Sequence, residues 1–301
     1  MYWQLHLASH PIRHVHLILG RIPQIAVSDT RRKVRFYDLG TGAHYSDLSI
    51  DPDLLDNDIP EERRQNLEAL KAPNGEYLPF VELNASHLYV SHDGKLRLIH
   101  DLNAGLTLEI DDQSIPLDTG KKQIVTHVAL DRELGSIAAV TTDQILLVFQ
   151  QQTLVSTIPL PGEPLVQVFV TVGGGQIVTV DAHSIKQMDT SGRILRQQAI
   201  HYTLGPTAMS PDGNWFLAGD ADHQLIRLYN RDLIPVRQRH AIDLLSQAHQ
   251  LQLFADRPEG AAPLVSLDIT DDGTLAFAMA GVVCTAHIDL MTELPQPRLL
   301  L

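Results

Sequence analysis

Short runs of alternating apolar and polar residues, closed by Gly, Pro, Asp and Asn, recur along most of this chain. Residues 207–232, TAMSPDGNWFLAGDADHQLIRLYNRD, set the pattern. An apolar segment runs into Ser210-Pro211-Asp212-Gly213, a reversal signal between strands. A small-apolar strand follows from Trp215 to Gly219, then a polar corner over 220–223 and an alternating strand from Leu225 to Tyr229. Asn230-Arg231-Asp232 turns the chain again. Three strands separated by two reversals predict an antiparallel meander.

Related meanders fall at about 14–50, 78–110, 124–160, 165–200 and 265–294, so the pattern predicts six copies. The segments KVRFYD, KLRLIHD, QLIRLYN and CTAHID align best as third strands, each alternating and ending at an Asp or Asn corner. Alternation buries one face of each sheet against a neighbour, and sheets that must cover one another stack radially about an axis. The predicted fold is all-β: a single β-propeller domain over 1–301, of six four-stranded blades with a seventh left open. The stretch 2–7 is expected to supply the outer strand of the last blade and close the ring. Two insertions interrupt the repeat, at about 51–77 and 241–263. Asp58-Ile59-Pro60-Glu61-Glu62 reads as a helix start, continued to Lys71 and stopped by Pro73-Asn74-Gly75. Ile242, Leu244, Leu245, Ala248 and Leu251 keep a helical spacing in the second. These helices either lie on the blades or meet a partner, through Arg63, Arg64, Leu67 and Leu70 and through Leu244, Leu245 and Leu251.

On SPDG (210–213), FLAGD (216–220), DLGTG (38–42) and the strand endings Tyr37-Asp38, His100-Asp101 and Tyr229-Asn230, the chain resembles the WD-repeat propeller family. No copy has Trp-Asp at the third-strand end or Gly-His before a first strand, so the family's buried hydrogen-bond network is assigned to no residue here. The resemblance implies a rigid, non-catalytic scaffold that holds one or more protein partners in an assembly.

Composition narrows this reading. A formal charge of −13 disfavours nucleic acid and anionic membrane surfaces as partners. With 5% aromatics the core must rest on Leu, Ile and Val. The single cysteine, Cys284, excludes an intramolecular disulfide and lies in a small apolar run, which suits packing in a reducing, cytoplasmic setting. No signal peptide or membrane-length apolar run is read from the sequence.

Fifteen histidines raise a metal question. His14 and His16 share a strand face, and a zinc site would need His6 or His10 as well; solvent-facing polar positions are the plainer reading. Gly173-Gly174-Gly175 precedes a strand rather than a helix, so it reads as a turn and not a phosphate loop. No cofactor is expected. The catalytic alternative is a propeller hydrolase or lactonase with a metal in the central channel, drawing on His127, Asp181, His183, Asp220 and Asp268.

Overall fold

The computed structural model describes residues 4–6, 11–51, 54, 68–84, 86–91, 94–102, 105–110, 113–119, 124–131, 135–171, 174–244, 263–279 and 282–295. These form six antiparallel sheets. A short strand, β1 (Gln4–His6), belongs to the last of them. Blade 1 is β2 (Ile12–Ile18), β3 (Gln24–Asp29), β4 (Lys33–Asp38) and β5 (His44–Ser49). Blade 2 has five strands: β6 (Phe80–Glu82), β7 (Ser86–Val90), β8 (Leu96–Asp101), β9 (Gly105–Ile110) and β10 (Gln113–Leu117). Blade 3 is β11 (Val125–Leu130), β12 (Ser136–Thr141), β13 (Ile145–Gln150) and β14 (Thr153–Pro159). Blade 4 is β15 (Leu165–Val170), β16 (Ile177–Asp181), β17 (Ser184–Met188) and β18 (Ile194–Ala199). Blade 5 is β19 (Leu204–Met209), β20 (Trp215–Asp220), β21 (Leu225–Asn230) and β22 (Pro235–His240). Blade 6 is β23 (Leu264–Ile269), β24 (Thr274–Met279) and β25 (Val282–His287), completed by β1. Two residues, β26 (Thr292–Glu293), return to the outer edge of blade 5.

The apolar faces are buried between neighbouring blades, as the alternation requires. Leu217, Ile226 and Leu228 of blade 5 pack with Leu267, Leu275 and Phe277 of blade 6, and Ala138, Val140 and Val148 of blade 3 pack with Val168 and Ile177 of blade 4. Blade 6 covers blade 1 through Ala276, Ala278 and Val283 against Val15, Ile25 and Val27. The ring closes twice at that seam. Gln4, Leu5 and His6 of β1 pair with Cys284, Val283 and Val282, and across the inner strands Val15 N–H donates to Ser266 Oγ (3.1 Å) and Leu17 N–H to Asp268 Oδ2 (2.6 Å).

One turn chemistry recurs. In Ser210-Pro-Asp-Gly213 the Gly213 N–H donates to Ser210 O (2.9 Å), while Ser210 Oγ accepts from Trp215 N (3.0 Å). Thr171 with Gly174 and Thr270 with Gly273 repeat this between the first and second strands of blades 4 and 6. Gly213 has φ +72°, and a Cβ there would lie 2.5 Å from Thr171 Cγ2 of the preceding blade, so glycine is required both by conformation and by packing.

The same turn, Ser91 with Gly94, lies between β7 and β8. By that equivalence the regular four strands of blade 2 are β7 to β10. The strand β6 is then an addition on its axial edge. This corrects the uniform four-stranded expectation in two blades. KLRLIHD is an inner-sheet second strand rather than a third, and QSIPL is an outer strand that its weak apolar pattern concealed. Six sheets are formed by the described residues, with no seventh among them.

Most of both insertions lies outside the described residues, including Arg63, Arg64, Leu67, Leu245 and Leu251. The described ends pack on the blades. Leu54, Leu70, Ala72 and Leu78 join the core between blades 1 and 2, and Ala241 and Leu244, in the helical stretch 241–244, join that between blades 5 and 6. Leu70 and Leu244 are therefore occupied by the chain's own core and offer nothing to a partner in this form. Cys284 is buried, and burial pushes its thiol well above the usual range, which suits packing rather than reactivity.

Candidate docking site at the axial channel

Five of the six blades carry a β-bulge near the start of the first strand, between Ile12 and His14, Val125 and His127, Leu165 and Gln167, Leu204 and Thr207, and Leu264 and Ser266. A bulge leaves one residue unpaired and re-aims its side chain. Here Thr126, Val166, Gly205-Pro206 and Val265 line one end of an axial cavity of about 510 Å³. The backbone device is shared, but the side chains divide the channel into two arcs.

The arc of blades 4 to 6 is uncharged and small at its rim: Val166 is 45% exposed and Val265 40%, with Gly205 and Pro206 between them. Ile124, 52% exposed at the start of β11, continues that surface into blade 3. Deeper in, Asp268 faces the cavity but accepts from Leu17 N and from Ile269 N (2.9 Å).

The arc of blades 1 to 3 is a ladder of rings. His14 and His16 on β2 stack at 6.0 Å, and both meet the edge of Phe80 on β6, at 5.5 and 6.2 Å. Phe80 in turn meets His87 at 5.4 Å and Tyr89 at 5.2 Å on β7. His87 meets His100 on β8 at 5.4 Å. His127, on β11, bonds Thr126 Oγ1 through Nδ1 (3.0 Å). His100 is 1% exposed; its Nε2 donates to Val125 O (3.0 Å), leaving Nδ1 a buried lone pair without a partner. Burial lowers the affinity of His87, His100 and His127 for a proton. His14 falls to about 4, through burial first and then through His16, with Glu82 opposing. Glu82 is itself paired with Arg13 and lies 3.8 Å from His14 Nε2.

Of the residues assigned to a catalytic alternative, only His127 and Asp268 line the channel. Asp181 and Asp220 end the second strands of blades 4 and 5 and turn into the sheet. Asp181 accepts from Ser184 Oγ (2.7 Å) and Lys186 Nζ (3.0 Å), and Asp220 from Arg227 (2.9 Å) and His223 Nδ1 (3.0 Å). Burial opposes their charge, but these donors outweigh it and hold both carboxyls below the usual range. Asp29 does the same in blade 1 with Arg35 (3.1 Å). His183 is exposed beside Glu163. The set is thus distributed over structural locks, a seam and the surface. His14 and His16 share a face as expected, yet among the described residues no three His, Cys, Asp or Glu side chains gather in a group able to hold a metal ion.

No protein-family model matches the chain, and no curated protein matches it in sequence. The fold does match solved structures. It superposes on the β-propeller domain of Cps50 (Swd1) from Myceliophteria thermophila with a TM-score of 0.62 at 9% identity, covering 93% of this chain and 97% of that one. It also superposes on Raptor from Chaetomium thermophilum with a TM-score of 0.57 at 11% identity, covering 96% of this chain and 25% of Raptor. The chain thus corresponds to about a quarter of Raptor's length. At these identities the likeness is one of fold: a six-bladed propeller. No helix among the described residues is long and apolar enough to cross a membrane.

Proposed function

We propose that the chain is a non-catalytic, WD-repeat-like docking propeller that holds a protein partner over the channel mouth, as a subunit of a cytoplasmic assembly. One observation carries this reading. On a chain of net charge −13, the rim from blade 3 to blade 6 presents Ile124, Val166, Pro206 and Val265 without a charge among them. Half-exposed apolar side chains on a rigid rim suit the centre of a protein interface, where charge is depleted. The dispersal of the acidic and histidine candidates favours docking over hydrolysis. In this reading Arg63, Arg64, Leu67, Leu245 and Leu251 extend the contact beyond the rim.

A photo-crosslinking side chain at Val166, with a control at Val155 on the outer strand β14, tests the site. A single stoichiometric protein is expected from position 166 and not from 155. Val166→Asp with Val265→Asp should abolish that product while circular dichroism stays unchanged. Equal crosslinking from both positions, or a product indifferent to the paired aspartates, would rule out the rim as the docking surface.

A further inference from the structure

We propose that the imidazole ladder is a proton-operated clamp on β6: neutral rings hold this strand on the axial edge of blade 2, and charged rings release it. The inference concerns the chain's own conformation and goes beyond the docking reading, on which it does not depend.

The geometry makes β6 the weakest strand to hold and the one most enclosed by titrating groups. It has three residues, paired as Phe80 with Tyr89, Val81 with Leu88 and Glu82 with His87. Phe80 is its axial anchor, ringed by His14, His16, His87 and Tyr89. Short strands with few pairs open locally at less cost than the fold as a whole.

Protonation finds little to compensate it. From β2 the ladder faces Arg13, a fixed positive charge, and the mutually stacked His14 and His16. From β6 it faces Glu82, which Arg13 already engages. From β7 come His87 and Tyr89, and from β8 come His100 and the nearby Asp101. From β11 comes His127, and across the cavity Asp268 is bonded to two backbone amides. A second proton on His100 would create a buried N–H at the unpartnered Nδ1. Two charged rings 5.4 to 6.0 Å apart repel in a partly desolvated site. Moving β6 away admits water to all of these rings at once.

Amide hydrogen exchange at pH 7 and pH 5, corrected for intrinsic rates, reads the release. Leu83 N–H bonds Ser86 O (2.9 Å) and Val90 N–H bonds Pro79 O (3.2 Å), bracketing the β6–β7 pairing; Ala221 N–H on Thr203 O (2.8 Å) serves as a reference in blade 5. The protection of Leu83 and Val90 relative to Ala221 is expected to fall roughly tenfold at pH 5. That is a discounted figure, since 39% of the His14 side chain already meets channel water. Combining His14→Gln with His87→Gln should remove the fall and leave protection at pH 7 in place. Unchanged protection in the wild-type chain overturns the clamp. So does a parallel loss at Ala221, which would mean that the whole ring unfolds in acid. Both of those outcomes are read without any variant, so a variant that fails to fold leaves the decision intact.

Discussion

Blades 2 and 5 both carry a fifth strand, yet they add it at opposite edges. Blade 5 takes β26 on its outer edge, where Arg237 pairs with Asp289 (2.9 Å) and Glu293 (3.0 Å) in solvent. Its axial edge stays bare, with Gly205, Pro206 and Ala208 toward the channel. Blade 2 takes β6 on the axial edge and fills that side of the channel with rings. The radial architecture tolerates both because the interblade cores do not depend on either extra strand. Leu217 and Ile226 pack against blade 6, and Leu98 and Leu108 against blade 3, behind the edges concerned. An edge addition can therefore set what the channel displays without disturbing what holds the ring together.

The largest expected effect breaks blade 5 at its lock. Asp220 is fully buried and answers Arg227, His223 and the His223 amide. Asp220→Ala leaves the Arg227 guanidinium without its carboxylate over the Tyr202 ring. A loss of about 3 to 5 kcal/mol is expected from denaturant unfolding. A loss below about 1 kcal/mol would mean that solvent or His223 relieves the cation. Blade 2 holds its turn by a different device, so the variant should leave the exchange of β7 amides unchanged short of global unfolding.

Acid should separate the two sides more gently. The histidines of blades 1 to 3 bind protons less readily folded than unfolded, so their contribution is complete above about pH 6.5 and lost as pH falls toward 4. Asp181 and Asp220 are held below their unfolded value near 3.8, so their contribution persists through that window and fails only at lower pH. With His14 discounted for its exposure, about 1 to 2 kcal/mol of stability should disappear between pH 7 and pH 5. Urea midpoints across this range check it. A flat profile down to pH 4 would show that the ladder is already solvated.

Local chemistry was legible in the sequence, and register was not. Ser210-Pro-Asp-Gly213 declares its turn because a hydroxyl, a carboxylate and a left-handed glycine act within a few residues of one another. The closing strand at the N-terminus could be read because the last copy lacks an outer partner, and β1 supplies it. The role of β6 could not, since Phe-Val-Glu alternates like any strand and only the sheet order places it on the axis. His87 and His100 became neighbours through a cross-strand pairing that depends on the same order. Helical spacing marked Leu70 and Leu244 as apolar; which surface covers them was decided by the blades beneath. Asp181 and Asp220 read as exposed corner acids because the basic residues that bury them, Lys186 and Arg227, come from the following strand.

The smallest effect comes from making the two arcs alike. Val166→His with Val265→His puts imidazoles on the bulge positions of blades 4 and 6, opposite the ladder. Both positions are half-exposed and meet no ring, so a proton there stays hydrated and the folded and unfolded states bind it almost equally. Stability at pH 7 should stay within about 0.5 kcal/mol of wild type, and the loss between pH 7 and pH 5 should be no steeper. If the acid slope instead steepens, sensitivity follows the number of imidazoles in the channel. If it does not, sensitivity belongs to rings packed around Phe80, where water is excluded and the nearest carboxylate is already engaged.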